Sequence, residues 1–265
     1  MFGSGFASGF GSGFGSGFYP GFADEARCGL TAAARLLRGR VYERVAGAAP
    51  MELRFGTLAE PPVLLVHGLG ADKSCLDVLA ERLHRAGYTV CSASYSCLDS
   101  DIHSCARTLE RQAAWVLEQT GATRLHVVAH SLGGVVLRWA AAHTAMRDHV
   151  SVAITLGSPH RGTPAARLAP PSLPGYGRII SQLRPTPRDV VELGCEVDVA
   201  TRWVTIAAEH DWVVPPKYAG LPESGNVRNA VVSRGGHMSL TRNPECLDII
   251  LDELAAASES TSLCA

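Results

Sequence analysis

The chain predicts a doubly wound α/β protein: a mostly parallel sheet with helices on both faces, built around one core. Three observations predict it. Short apolar runs of strand length alternate with longer amphipathic stretches of helical period, the runs are apolar enough to be covered on both sides, and the chemically distinctive residues fall just past their carboxyl ends. Within residues 27–60, Leu30 to Leu37 reads as a short helix before an irregular lead-in through Pro50. Val63 to Val66 (V-L-L-V) is the first strand, and Ser74 to Ala86 is a helix. Thr89 to Tyr95 is a strand in which Cys91 stands among apolar residues, and Ile102 to Thr120 is the next helix. Leu125 to Ala129 is a strand running into a helix from Leu132 to about Ala145. Three more strands follow at Val152 to Leu156, Trp203 to Ala207 and Val227 to Val232, and a last helix lies near Pro244 to Ala257.

The ends of the chain read differently. Residues 1–26 form a low-complexity tail in which Phe2, Phe6, Phe10, Phe14 and Phe18 recur every fourth position among Gly and Ser. A period of four could stack rings on a helix, but the interleaved glycines cost about 1 kcal/mol each against helix, so disorder is the expectation. The folded domain is expected at 61–257, with a short tail at 258–265. Residues 164–196, rich in proline and apolar side chains such as Leu168, Leu173, Ile179, Ile180 and Leu183, are either a lid or a structural insertion.

Composition narrows the classes. With 265 residues, 46% hydrophobic and 18% charged, the chain can bury a sizeable core without disulfides or metals. A formal net charge of −1 with no long run of one sign gives no footprint for nucleic acid and no polybasic patch for anionic membranes. No stretch has the length and apolarity of a membrane span, and no standard secretory signal is present, so a cytoplasmic location is the default expectation. The eight cysteines include no C-x-x-C pair; buried free thiols are the expectation, with Cys246 and Cys264 the first pair to test for a bridge.

The chemistry is carried by Leu125-His126-Val127-Val128-Ala129-His130-Ser131-Leu132-Gly133-Gly134, an apolar strand that turns through a serine into a helix. Such a turn is a nucleophile elbow, in which a strained serine lifts its hydroxyl above the sheet and the positions two before and two after must be small. Ala129 and Gly133 meet that need, although Ala129 stands where the commonest pattern has glycine. Read alone, the string also fits an ordinary serine N-cap. The strand before it, Val63 to Val66, runs into His67-Gly68-Leu69-Gly70, where a loosened loop can aim a backbone N–H at the same point. The N–H groups of Leu69 and Leu132 together make a two-donor oxyanion hole.

A serine hydroxyl needs a base, and the base needs an orienting carboxylate. Among ten histidines, His237 stands in a glycine-bearing loop directly after the last strand and before the last helix. His126 lies inside a strand; His84, His103, His143 and His149 lie on or beside helices. His67, His130 and His160 adjoin the site but precede any plausible acid, and a structural role is expected for them. The acid should follow a strand and precede the histidine, which selects Asp211, with Asp189, Asp198 and Glu209 in reserve.

Five blocks in this order carry a family likeness: V-H-G-L-G at 66–70, A-H-S-L-G-G at 129–134, G-S-P-H-R-G-T at 157–163, E-H-D-W-V-V-P at 209–215 and G-G-H-M-S-L at 235–240. From about Pro61 to Leu254 the chain resembles bacterial lipases and esterases of the α/β-hydrolase fold. Ala129 is similar to the A-x-S-x-G variant of one group of small bacterial lipases, and 157–163 resembles a loop those enzymes carry near the site. The resemblance implies hydrolysis of a small-molecule or lipid carboxylic ester through an acyl-enzyme at Ser131, and secretion as the alternative location. An acyltransferase or thioesterase would use the same residues, and a catalytically silent binding protein could share the fold. No cofactor and no catalytic metal are expected; a structural Ca²⁺, contact with a lipid interface and the oligomeric state stay open.

Overall fold

The computed structural model describes residues 51–168, 173–185, 197 and 200–262. The tail at 1–26, the helix expected at 30–37, and Cys28, Cys195 and Cys264 lie outside them. The described strands are β1 (Leu53–Arg54), β2 (Val63–Val66), β3 (Val90–Ser92), β4 (Leu125–His130), β5 (Val150–Leu156), β6 (Arg202–Ala208) and β7 (Val227–Val232). They form one sheet in the order β1-β3-β2-β4-β5-β6-β7, with every neighbouring pair parallel except the antiparallel edge pair of β1 and β3. The helices are α1 (Asp77–Arg85), α2 (Ile102–Thr120), α3 (Leu132–His143), α4 (Ala165–Leu168), α5 (Gly177–Ser181), α6 (Pro216–Ala219) and α7 (Pro244–Ser262).

Alternation within each strand divides the core in two. Leu64, Val66, Val127 and Ala129 face α2 and α3, which answer with stripes such as Ile102, Cys105, Ala106, Leu109, Ala113 and Val116. Val63, Leu65, Val128, Ile154 and Ile206 face the opposite layer, where Leu76, Leu79 and Leu83 meet Cys246, Leu247, Ile250 and Leu254. Each fully buried aliphatic side chain of this kind contributes roughly 1.5–3 kcal/mol. At the far end of the sheet, Glu253 on α7 is buried and ion-paired to Arg202 on β6 at 2.7 Å and to Arg228 on β7, which pins α7 across both strands.

Several boundaries differ from the sequence expectation, each for a local reason. The stretch read as one strand over 89–95 pairs as a strand only over Val90–Ser92. Beyond it, Gln112 of α2 donates to the Ser94 carbonyl and accepts from the Ser94 N–H, replacing the sheet ladder with a side chain. The helix expected from Ser74 begins as a 3₁₀ turn, Lys73–Leu76, whose end is capped by Asp72 accepting from Ser74 N at 2.8 Å. The helix after Ser131 stops at His143, because Thr144 turns extended and caps a separate 3₁₀ turn, Ala145–Asp148. The last helix runs on to Ser262, past the expected end at 257. Strand β1, two residues long, carries too little pattern to be found by periodicity.

The segment 164–196 contains α4 and α5 in its described part. Ile179, Ile180 and Leu183 are buried in the core facing α2 and α3, whereas Leu168 is 87% exposed. Bonds from Asp99 N to Gly175 O and from Ile102 N to the Gln182 side chain fasten α5 to the start of α2. Cys91 and Cys246 are free, buried thiols, and burial pushes each up to about 12. No helix among the described residues is long and apolar enough to cross a membrane.

His126 lies on the same face of β4 as Val128 and His130. It is 1% exposed, and neither ring nitrogen has a hydrogen-bond partner. Burial, aided by the charge of Arg124, lowers its pKa from 6.5 to about 4. Unfolding lets the ring take up a proton, so stability from this group is complete above 6.5 and is lost as pH falls from there toward 4. Replacing His126→Leu should therefore recover about 2 kcal/mol at pH 5 relative to pH 8 in urea unfolding. Parallel stability curves for the two proteins across that range would contradict the assignment.

Candidate active site

Ser131 sits where β4 becomes α3, with φ 54° and ψ −125°. Holding a non-glycine residue there costs on the order of 1–3 kcal/mol and persists only where neighbours fix it from both sides. Here the Ser131 N–H donates to Leu156 O on β5 at 2.8 Å, and the Ser131 carbonyl accepts from Gly134 N at 3.1 Å. The strain aims the hydroxyl out of the turn at the carboxyl edge of the sheet.

Two glycines let the turn close. A Cβ on Gly133 would lie 2.6 Å from the carbonyl oxygen of His67 and 2.8 Å from that of Val66, both backbone atoms at the end of β2. A Cβ on Gly68 would lie 2.9 Å from the Cβ of Ser131. The loop after β2 is thus pressed against the nucleophile turn with no room for a side chain between them.

The structure brings Ser131, His237 and Asp211 into one hydrogen-bonded chain. His237 Nε2 is 2.9 Å from Ser131 Oγ, and His237 Nδ1 is 2.7 Å from Asp211 Oδ2. A carboxylate accepts only, so Nδ1 carries the imidazole proton, and Nε2 is free to accept from the serine hydroxyl. The second carboxylate oxygen, Asp211 Oδ1, accepts from the N–H groups of Val213 and Val214 at 2.8 and 2.7 Å. Asp211 and His237 are both buried, while Ser131 is only partly so. Of the reserve acids, Glu209 is exposed, and Asp189 and Asp198 lie outside the described residues.

Leu132 is the first residue of α3, where amides have no intrahelical partner, and Leu69 follows Gly68 in the turn after β2. The orientation of that turn comes from His67, for which the sequence predicts a structural role, together with Ala71 and Tyr95, to which it assigns none. His67 Nδ1–H donates to the Gly68 carbonyl at 3.0 Å, and Ala71 N donates to the same oxygen at 3.3 Å. In a trans peptide the N–H points opposite to the C=O, so fixing Gly68 O turns the Leu69 N–H to the other side. Tyr95 stacks on the His67 ring with centroids 4.3 Å apart, and its hydroxyl donates to the His67 carbonyl at 2.5 Å. Burial lowers the pKa of His67, so it stays neutral and keeps an acceptor as well as a donor face. No local motif signals Tyr95, because its contact depends on how β3 leaves the sheet.

The other site-adjacent histidines stand outside the chain from Ser131 through His237 to Asp211. His160 bonds Thr155 Oγ1 through Nε2 at 2.9 Å, and its carbonyl accepts from the buried Arg138 at 3.0 Å. Burial and the charges of Arg138 and Arg161 hold its pKa well below the ordinary value. His130 bonds the main chain of His237. Among the described residues, no group of three or more His, Cys, Asp or Glu is placed to hold a metal ion.

A serine on a strained strand-to-helix turn, hydrogen-bonded to a histidine that is in turn bonded to an aspartate, all at the carboxyl edge of a parallel sheet, points to the class. The family model described as the alpha/beta hydrolase fold matches residues 61–194, and the chain belongs to that family. Among individual proteins, it is 36% identical over 110 residues to a triacylglycerol lipase of Pseudarthrobacter phenanthrenivorans, a match covering 38% of this chain and 34% of that protein. A triacylglycerol lipase of Burkholderia plantarii matches at 36% over 110 residues, covering 38% of this chain and 30% of that protein. The match thus spans about a third of the length of these curated relatives. The crystal structure of a Bacillus licheniformis lipase in its mature form superposes with a TM-score of 0.66 at 19% identity, covering 77% of this chain and 98% of that one.

The packing around Gly133 yields a sharp expectation. Alanine there would gain about 1 kcal/mol of helix propensity but must displace two backbone carbonyls, which costs more. Gly133→Ala should lower unfolding stability by roughly 1–3 kcal/mol in a urea titration. A stabilised variant would mean that β2 and the turn are not in the contact described.

Proposed function

We propose that the protein is a serine hydrolase of carboxylic esters, a lipase or esterase, acting through an acyl-enzyme on Ser131. The observation that carries this reading is the chain from Ser131 Oγ to His237 Nε2 and from His237 Nδ1 to Asp211, at 2.9 and 2.7 Å. The likeness to triacylglycerol lipases supports it.

In the proposed cycle, Ser131 Oγ attacks the ester carbonyl as His237 Nε2 accepts its proton. Asp211 keeps the Nδ1 proton in place and stabilises the imidazolium that forms. The negative charge on the former carbonyl oxygen is received by the N–H groups of Leu69 and Leu132, the first turned by the clamp on Gly68 and the second offered by the start of α3. Collapse expels the alcohol, which takes the proton back from His237. Water then attacks the acyl carbonyl as His237 takes its proton, and His237 returns that proton to Ser131 Oγ as the bond to the acid breaks. None of these steps calls for a cofactor.

The rim next to the acid gives this reading a direction. Trp212 is 81% exposed and Val213 is 43% exposed, immediately after Asp211. An apolar edge there supports esters with an extended hydrocarbon part and contact with a lipid–water interface. The near-neutral net charge supports uncharged substrates and weighs against nucleic acid.

The test is a p-nitrophenyl ester series from acetate to palmitate. Wild type should turn over at least one member, and Ser131→Ala should reduce kcat by at least about 10³-fold. Asp211→Asn should reduce it by roughly 10²- to 10⁴-fold with little change in KM, since it disturbs the tautomer and not the binding surface. No turnover by wild type, or undiminished turnover by Ser131→Ala, would defeat the reading.

A further inference from the structure

The hydrolytic cycle leaves one ring at the centre of the site without a task. His130 is the last residue of β4, directly before Ser131, and is 3% exposed. Its Nε2–H donates to the main-chain carbonyl of His237 at 3.0 Å, a bond between residues 107 apart in sequence. A carbonyl offers only lone pairs, so the acceptor fixes the tautomer: the proton is on Nε2 and Nδ1 is bare. That Nδ1 is buried without a hydrogen bond and lies 3.4 Å from the point a Cβ on Gly68 would occupy. The ring centroid is 4.9 Å from that of His237, with the planes tilted by 45°. One side chain therefore touches the loop of the base, and its far edge faces the loop of Leu69.

The geometry of the base depends on its backbone as well as its ring. Asp211 fixes the His237 ring through Nδ1, but a hydrogen bond to a ring fixes direction only if the chain carrying it stays put. That chain passes through Gly235 and Gly236 immediately before His237. The bonds between Gly236 and Ser239, and from Asn243 to the Arg234 carbonyl, are local to the loop and the turn after it. The bond from His130 instead ties the loop to the strand that carries the nucleophile.

We propose that His130 is a positioning residue, a strut whose Nε2–H bond to the His237 carbonyl sets the reach from the imidazole to Ser131. The proposal rests on the hydrolase reading above. Its chemistry suits the role, because burial and the neighbouring His237 hold the His130 pKa down to about 3. The strut thus remains a neutral donor beside a ring that becomes a cation during each turnover, where a second cation would oppose it.

Two substitutions separate a strut from mere filling of space. His130→Phe keeps a planar ring and loses the donor; His130→Gln restores an N–H at about the same reach. With a soluble p-nitrophenyl ester, kcat should fall roughly 10- to 100-fold in His130→Phe while KM stays within about twofold, and His130→Gln should recover to within about threefold of wild type. The proton on His237 Nδ1, bonded to Asp211, gives a second readout that needs no substrate. Its downfield NMR resonance should persist in wild type and His130→Gln and broaden away in His130→Phe. A His130→Phe enzyme with wild-type kcat, a His130→Gln enzyme as impaired as His130→Phe, or a resonance retained in His130→Phe would overturn the strut. Should wild type show the resonance but hydrolyse no ester, the reading of function fails, and the resonance comparison alone decides the strut.

Discussion

The close approach of the β2 loop to the turn at Ser131 is the constraint on which the site depends. Parallel β2 and β4 end side by side, and α3 must leave the end of β4 at once to cover the sheet. Backbone from three elements then converges within a few ångströms, at Val66 and His67, at Gly68, and at Ser131 to Gly133. Only residues with little or no side chain fit at 68 and 133, and Ser131 must take a positive φ. The strain stored there is compensated by the surrounding sheet, whose strands β2, β4, β5 and β6 are fully or almost fully buried. The same convergence that costs conformational energy places a hydroxyl, a helix N-terminus and a loop amide around one point.

What surrounds that point is a set of buried polar side chains with defined roles in orientation. Tyr95 and His67 hold two successive carbonyls of the β2 loop, His130 holds the carbonyl of His237, and the Val213 and Val214 amides hold one oxygen of Asp211. Each leaves the reacting atoms free while fixing what carries them. Burial lowers the pKa of His67, His130 and His160, and among the described residues the imidazole bonded to the Ser131 hydroxyl is that of His237. The cost appears at low pH, where unfolding lets these rings ionise.

Much of this was legible in the sequence, and the part that was not has a physical reason. The apolar runs at 63–66, 125–129 and 203–207 found their strands because central parallel strands are buried on both faces and need no partner to be recognised. Ser131, Asp211 and His237 stand out by their places after strands, and the structure bonds His237 to each of the other two. Strand β3 was overextended because Gln112, distant in sequence, takes over the backbone of Ser94. Helix α3 was overextended because Thr144 ends it by a side-chain cap that competes with helical propensity. Tyr95 carries no signal in the sequence since its contact with His67 exists only once β2 and β3 are paired, and the bond of His130 spans the fold, so its place in the chain does not reveal it.

Ser131, whose hydroxyl lies 2.9 Å from His237 Nε2, is the proposed nucleophile, and covalent trapping tests that proposal most directly. A diethyl p-nitrophenyl phosphate reacts with an activated serine and cannot be released by ordinary deacylation. Peptide mass spectrometry after treatment should find one phosphoryl group per chain, on Ser131, with esterase activity lost in proportion to labelling. Full labelling of Ser131 with activity intact, or loss of activity through modification elsewhere while Ser131 stays unmodified, would contradict the account.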